Sequence, residues 1–352
     1  MLTFIVFVLG LGAFIFVHEC GHFFAARISG VKVEEFALGF PPNLFTKKRQ
    51  GTKYKINLLP LGGYVKLLGE DETVKRKDSF SGKKVRYRLF IVTAGVIMNL
   101  LMAYFLLTVG YLIGMNPVAL DARDLGGQKT EQVLVAAVDS QSPAETVGLR
   151  VGDFIDGFST AESFAEFTNN HRGEEVTLNI ERRGEIQSIT VKLRAAEDMP
   201  ALGVGISGQG TKVKLGLWGA LGAAGREMTA FTKIIWHFLG QFLTSLFGRG
   251  QLSEQVTGPI GIYNITGQAI QLGWVYVIQF FAILSMNLGL INILPFPALD
   301  GGRALLIFIE GIVRRKVIRQ EVEAILHTVG FFLLIALMVA VTYREAVYYI
   351  FN

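Results

Sequence analysis

No charged side chain occurs from Met1 to Val17, and this apolar run closes on His18-Glu19-Cys20-Gly21-His22. Three ionisable groups in five residues constrain the chain severely, because a charge inside hydrocarbon costs several kcal/mol unless it is paired, hydrated or bound to a metal. Residues four apart on a helix share a face, so His18 and His22 can offer ring nitrogens to one zinc ion with Glu19 beside it. A catalytic zinc site takes three protein ligands and leaves one position open. A carboxylate next to the water held there can act as general base on a carbonyl and then as acid to the departing amine. The pentapeptide supplies two ligands, and a metal-free pair of helical histidines stays open as the alternative.

Composition excludes an ordinary soluble enzyme: hydrophobic residues make up 51%, charged residues 18%, and the mean hydropathy is +0.42. Four segments, about 2–24, 89–115, 274–294 and 324–343, meet or approach the roughly 20 residues that cross a bilayer. The expected fold class is therefore a polytopic α-helical membrane protein with about four transmembrane helices. The first segment has neither a basic leading region nor an A-x-A cleavage site, so it is expected to be retained.

Charge sets an expected orientation. Fifteen lysines and arginines face six acids from Arg27 to Arg88, whereas thirteen face sixteen from Met115 to Gly250. The first loop belongs on the cytoplasmic side and the second region outside, which puts both termini outside and the histidines near the cytoplasmic end of their span. The overall surplus of +5 fits topology and contact with anionic lipid, and no nucleic-acid-binding motif accompanies it. The single cysteine, Cys20, excludes an internal disulfide. It lies about 200° around the helix from His18, on a packing face.

A third ligand is expected at the same depth. No charged residue occurs from Gln255 to Leu299, and Asp300 ends that stretch just after Pro295 and Pro297. Such an acid reads as the end of a span where the backbone leaves the helix, and loose backbone at that depth is tolerated where it lines a wet cavity. An ordinary Pro-x-Pro, Asp-Gly-Gly turn is the alternative. Tyr54 to Leu68 reads as two apolar strand-like runs joined by a Pro/Gly turn. Residues 118–208 alone have soluble-domain composition. Strands are expected at 133–138, 176–180 and 189–193, and a short helix opens at Phe164. Between this domain and the third span, Met228, Phe231, Ile235, Phe238 and Phe242 recur at helical spacing among polar residues, as in an amphipathic helix. His327, at the start of the fourth span without a spaced partner, reads as a helix-end histidine.

These motifs together resemble the site-2 protease family of intramembrane zinc metalloproteases. The closer likeness is to its bacterial branch, similar to regulator-of-sigma-E proteases, which carries an extracytoplasmic PDZ domain. The zinc-binding helix matches His18 to Phe23, and the Asn-x-x-Pro-x-Pro-x-Leu-Asp-Gly motif matches Asn292 to Gly301. Gly-Gly-Tyr-Val appears at Gly62 to Val65, Gly-x-x-x-Asn at Gly95 and Asn99, and Thr257 to Ile262 resembles the lead into the third span. Ser142 to Asp153 is similar to a PDZ stretch, and the length admits one such domain.

The resemblance implies Zn2+ held by His18, His22 and Asp300, with Glu19 catalytic. It makes the 54–68 region a cytoplasmic, membrane-re-entrant β-hairpin whose edge pairs with substrate, and it gives Gly62, Gly63, Tyr64, Asn292, Pro295 and Pro297 substrate-positioning roles. A plain hairpin and a structural helix end remain open for these two regions. The implied activity is hydrolysis of peptide bonds within transmembrane segments of single-span proteins, of the anti-sigma-factor or remnant-signal-peptide type, in regulated intramembrane proteolysis. The implied location is the bacterial inner membrane. The expected division is 1–117 for the first membrane half, 118–208 for the α+β PDZ domain, 209–256 for the amphipathic region and 257–352 for the second membrane half. A peptide ligand for the PDZ domain and a gate against bulky substrates are both open. The main rival is a non-catalytic, membrane-anchored PDZ scaffold. A transporter is disfavoured because no internal repeat is visible.

Overall fold

The computed structural model describes residues 1–70, 74, 76–196, 199–249, 257–316 and 318–351. Helix α1 (Leu2–Ile28) ends where Gly30 takes a positive φ of 65° and turns the chain into strand β1 (Val33–Arg49). Strand β2 (Thr52–Leu67) and helix α2 (Val85–Ile113) follow. Next come strand β3 (Gln128–Val138), the one-turn helix α3 (Pro143–Thr146), strand β4 (Phe154–Asp156) and helix α4 (Ala161–Asn170). Strands β5 (Glu175–Arg182), β6 (Glu185–Lys192) and β7 (Val204–Lys214) complete a sheet. The chain closes with helices α5 (Leu217–Arg249), α6 (Pro259–Leu272), α7 (Trp274–Asn292), α8 (Asp300–Val313) and α9 (Gln320–Phe351).

Helices α1, α2, α7 and α9 are long and apolar enough to cross a membrane, matching the four expected segments. At 1.5 Å per residue the 27 residues of α1 reach about 40 Å, more than the hydrocarbon thickness of about 30 Å. Their outward faces carry exposed Leu9, Phe16, Leu101, Phe105, Phe332 and Leu333, a surface suited to lipid and not to water.

The described chain divides into two compact units. The first contains residues 1–103, 241–264 and 281–352, with a core of Ala26, Val33, Leu67, Ile91 and Ile307 among others. Strands β1 and β2 form its antiparallel sheet, whose register differs from the expected hairpin. The two apolar runs of β2 do not pair with each other. Residues 35–38 of β1 lie between them, with Leu38 opposite Gly63 on one side and Ile56 on the other, while Asn43 to Arg49 pairs with Asn57 to Thr52. The inserted stretch is as apolar as the runs it separates, and two ladders satisfy more backbone groups than one.

The second unit contains residues 104–240 and 265–280. Its five strands are all antiparallel, in the order β6-β5-β4-β3-β7. Alternate residues of β5 point inward, so Val176, Leu178 and Ile180 join Val133, Val135, Ile155 and Phe164 in the core. The expected strands 133–138 and 176–180 lie within β3 and β5, the expected 189–193 runs one residue past the end of β6, and the expected helix is α4, begun by a Thr160–Ser163 capping box. Strands β4 and β7 add to the expectation. On α5, Glu227 is buried although it reads as part of the polar side of the helix. It accepts hydrogen bonds from the Tyr111 hydroxyl at 2.8 Å and from the backbone N–H groups of Val118 and Ala119 at 2.6 and 2.7 Å.

Candidate functional site

All parts of the site belong to the first unit. One turn of α1 separates His18 from His22, and their Nε2 atoms stand 3.2 Å apart. Asp300 opens α8 just after the irregular stretch 293–299, as expected of an acid that follows a broken span. Its Oδ2 lies 3.0 Å from His18 Nε2 and 3.3 Å from His22 Nε2. The potential ligand atoms of the three residues fall within 4.8 Å of one another. Asp300 Oδ2 is buried with no hydrogen-bond partner despite these short approaches. Two ring nitrogens and a carboxylate oxygen without a hydrogen-bond partner, converging this closely, suit a small cation, and two imidazoles with one carboxylate suit zinc.

Helix α2 backs the histidines. The Nδ1–H of His22 donates to the Ile91 carbonyl at 2.8 Å, which fixes the tautomer and leaves Nε2 its lone pair. Asn99, 1% exposed, places Nδ2 3.3 Å from His18 Nδ1, while its Oδ1 is buried without a partner. With the carboxamide turned over, Oδ1 accepts the His18 Nδ1–H and His18 Nε2 is likewise freed. Gly95 makes room for both rings: a Cβ there would lie 2.4 Å from His22 Nε2 and 2.7 Å from His18.

The three residues face a cavity of about 280 Å³ that is also lined by Glu19, Gly63, Tyr64, Asn292 and Arg303. Glu19 is buried, and the backbone of Gly63 runs so close that a Cβ would meet Glu19 Cγ at 2.9 Å. Strand β2 thus passes directly over the carboxylate. Residues Gly63 to Leu67 have ladder partners in β1 on one side only, among the described residues. The structure brings Gly63, Tyr64 and Asn292 to the cavity wall but not Gly62, Pro295 or Pro297. Gly62 packs its backbone against Phe40. Pro295 is exposed in the bend after α7, and Pro297 packs its backbone against Gly330 of α9.

Two further contacts lie outside the sequence reading. The Ala298 N–H donates to His327 Nδ1 at 3.1 Å, bracing a residue held at φ 78° two positions before Asp300. Such a backbone costs on the order of 1–3 kcal/mol in a non-glycine residue, so His327 is placed to stabilise the bend. Arg303, one turn after Asp300, pairs with Glu70 and lies 3.9 Å from Glu323. An isolated asparagine in an apolar span is a visible signal for Asn99. A histidine that receives a backbone N–H leaves none.

Comparison with known proteins agrees with this geometry. The model of peptidase family M50 matches residues 6–337. The chain is 30% identical to the zinc metalloprotease RasP of Shouchella clausii, across 98% of this chain and 99% of the relative. It is 28% identical to the regulator of sigma-W protease RasP of Bacillus subtilis, across 97% and 98%. A relative from Clostridium perfringens is 34% identical, with 97% of each chain covered. A family match over nearly the whole chain, together with full-length relatives at this identity, places the protein in peptidase family M50, the site-2 protease family of zinc metalloproteases.

Proposed function

We propose that this M50 protease hydrolyses peptide bonds within the transmembrane segments of single-span membrane proteins, of the anti-sigma-factor or remnant-signal-peptide type. The observation that carries the proposal is the convergence of His18, His22 and Asp300 beside buried Glu19 in a cavity over which an extended strand passes. His18, His22 and Asp300 are the residues that would hold Zn2+, the cofactor that family membership implies. Bound there, the ion supplies Lewis acidity that polarises a carbonyl and makes water more acidic.

The chain's own residues supply the rest. Glu19 takes a proton from the attacking water as the new C–O bond forms, then returns it to the amine nitrogen as the C–N bond breaks. A transmembrane helix has its carbonyls engaged and must become extended before water can reach one. The single-sided ladder of Gly63 to Leu67 supports substrate binding as an added strand over the site. Asn292, on the cavity wall, is suited to holding the extended backbone by its carboxamide. Gly62, Pro295 and Pro297 act at one remove, by shaping the strand turn and the bend that delivers Asp300.

The antiparallel sheet and α4 suit the PDZ reading of 118–208. A recess of about 240 Å³, lined by Phe164, Ala165, Leu202, Gly203 and Val204, is suited to a peptide strand. In this reading the enzyme is a multi-pass protein of the bacterial inner membrane, with the PDZ domain outside and the active site near the cytoplasmic face. The scaffold alternative offers no reason for three ligand atoms within 4.8 Å.

The test pairs zinc analysis of the full-length protein with cleavage of a single-span reporter. Wild type should carry one zinc per chain and cut. Glu19→Gln should keep zinc and lose at least about a hundredfold in cleavage, the lower range for a general base. Asp300→Asn should lose both metal and activity. Cleavage by Glu19→Gln at the wild-type rate would overturn the assignment.

A further inference from the structure

Where the last turn of α1 meets the turn between β1 and β2, the first unit encloses a recess of about 460 Å³ lined by Phe23, Arg27, Lys47, Arg49, Gln50 and Tyr54. It contains three cations and no acid. Among the described residues none of the three has a carboxylate within ion-pairing distance, whereas the nearby Lys53 and Lys55 share Glu35 at 3.4 and 2.5 Å. Arg27 is held in place: its guanidinium lies 5.0 Å from the centre of the Phe23 ring and donates to the Thr52 hydroxyl at 3.3 Å. The Phe23 and Tyr54 rings, 6.1 Å apart, form an apolar floor. Alternation along β1 puts Lys47 and Arg49 on one face and Lys48 on the other. The result is a recess with a fixed guanidinium and two further basic side chains that lack a counter-charge among the described residues.

The surroundings indicate where the missing anion comes from. Three positions before Arg27 on α1 stands Phe24, 54% exposed, and one position after it Ile28, 78% exposed. An anion seated here therefore adjoins bare apolar surface on a helix long enough to span a bilayer. A phosphate with acyl chains attached satisfies both features, and a soluble anion satisfies only the first.

We propose that the recess binds the headgroup phosphate of an anionic phospholipid, with Arg27, Lys47 and Arg49 as its ligands and the acyl chains along Phe24 and Ile28. The bound lipid pins the turn of the sheet to the membrane surface. Gly63 and Tyr64 of the same sheet line the candidate active cavity, so the lipid also steadies the strand that passes over Glu19. The proposal rests on α1 crossing a membrane and is independent of the catalytic assignment.

The experiment titrates full-length protein in mild detergent with phosphatidylglycerol, with phosphatidylcholine and with inorganic phosphate. Bound lipid is read by native mass spectrometry and by thermal shift. Phosphatidylglycerol should bind more tightly than phosphatidylcholine, and inorganic phosphate should not reproduce its effect. Lys47→Ala with Arg49→Ala should weaken phosphatidylglycerol on the order of fivefold for each cation removed, from about 1 kcal/mol per basic residue. Lys48→Ala, which deletes the same charge from the opposite face of the strand, should leave binding unchanged. Arg49→Ala alone serves where the double variant does not fold. Weakening by Lys48→Ala equal to that by Arg49→Ala, no preference for phosphatidylglycerol, or an equal effect of inorganic phosphate would each overturn the proposal.

Discussion

In the proposed zinc site, metal affinity at His18 would depend on the far side of its ring. A histidine can ligate through Nε2 only if its proton sits on Nδ1, and Asn99 is the group within reach to hold it there. Asn99→Ala removes that acceptor, and loss of such a partner typically costs 10–100-fold in metal affinity. Asn99→Asp keeps an oxygen at the position. We therefore expect zinc competition with a chelator to show weakened affinity for Asn99→Ala and near-wild-type affinity for Asn99→Asp; equal affinity in all three proteins would remove Asn99 from the site. His18, Glu19 and His22 were legible in the sequence because helical spacing alone sets them on neighbouring faces. Asp300 was legible as the acid that ends a long uncharged stretch. The Ile91 carbonyl and the Ala298–His327 contact were not, since a backbone group has no residue signature and His327 lies 29 residues from its partner.

At the scale of elements, Glu227 shows where periodicity misleads. The alternation of apolar and polar residues on α5 assigns Glu227 to the wet side, yet its carboxylate is 2% exposed and collects three donors. Tyr111 lies in the last turn of α2, and Val118 and Ala119 follow that helix with backbone N–H groups that no helix engages, so a buried acceptor is worth more there than an apolar contact. Glu227→Leu keeps much of the volume but removes both oxygens, leaving the Val118 and Ala119 N–H groups without their acceptor. It should cost about 1–3 kcal/mol, the price of an unsatisfied buried donor, and lower the melting temperature. Hydrogen exchange locates the effect: amides at 118 and 119 should exchange faster than in wild type while those of β5 hold. Unchanged exchange there would mean that the cap carries no energy. The sheet of β1 and β2 repeats the lesson. Strand content was visible in apolar runs rich in turn residues, but pairing was not, because residues 35–38 and both runs of β2 are mutually compatible and only the folded register chooses between them.

Across the whole molecule, the charge pattern makes a prediction that neither the helices nor the site can make. Four candidate spans among the described residues set how often the chain can cross, and the lysine and arginine surplus of residues 27–88 predicts which way it starts. The reading matters for chemistry: were the first loop in the cytoplasm, a cut near His18 would release a cytoplasmic fragment and the five-stranded domain would lie on the opposite side of the membrane. The protein is suited to a direct measurement because Cys20 is its only cysteine. In a Cys20→Ala background, cysteine replaces either exposed Lys84 in the first loop or exposed Lys192 on β6. A membrane-impermeant maleimide added to intact cells should label the position at 192 and leave 84 untouched until the membrane is opened. One cation among the fifteen lysines and arginines of residues 27–88 is too small a change to reverse the orientation. Labelling at 84 and protection at 192 would put the sheet domain in the cytoplasm, turn the basic loop outward against the charge rule, and move any fragment released near His18 to the opposite compartment.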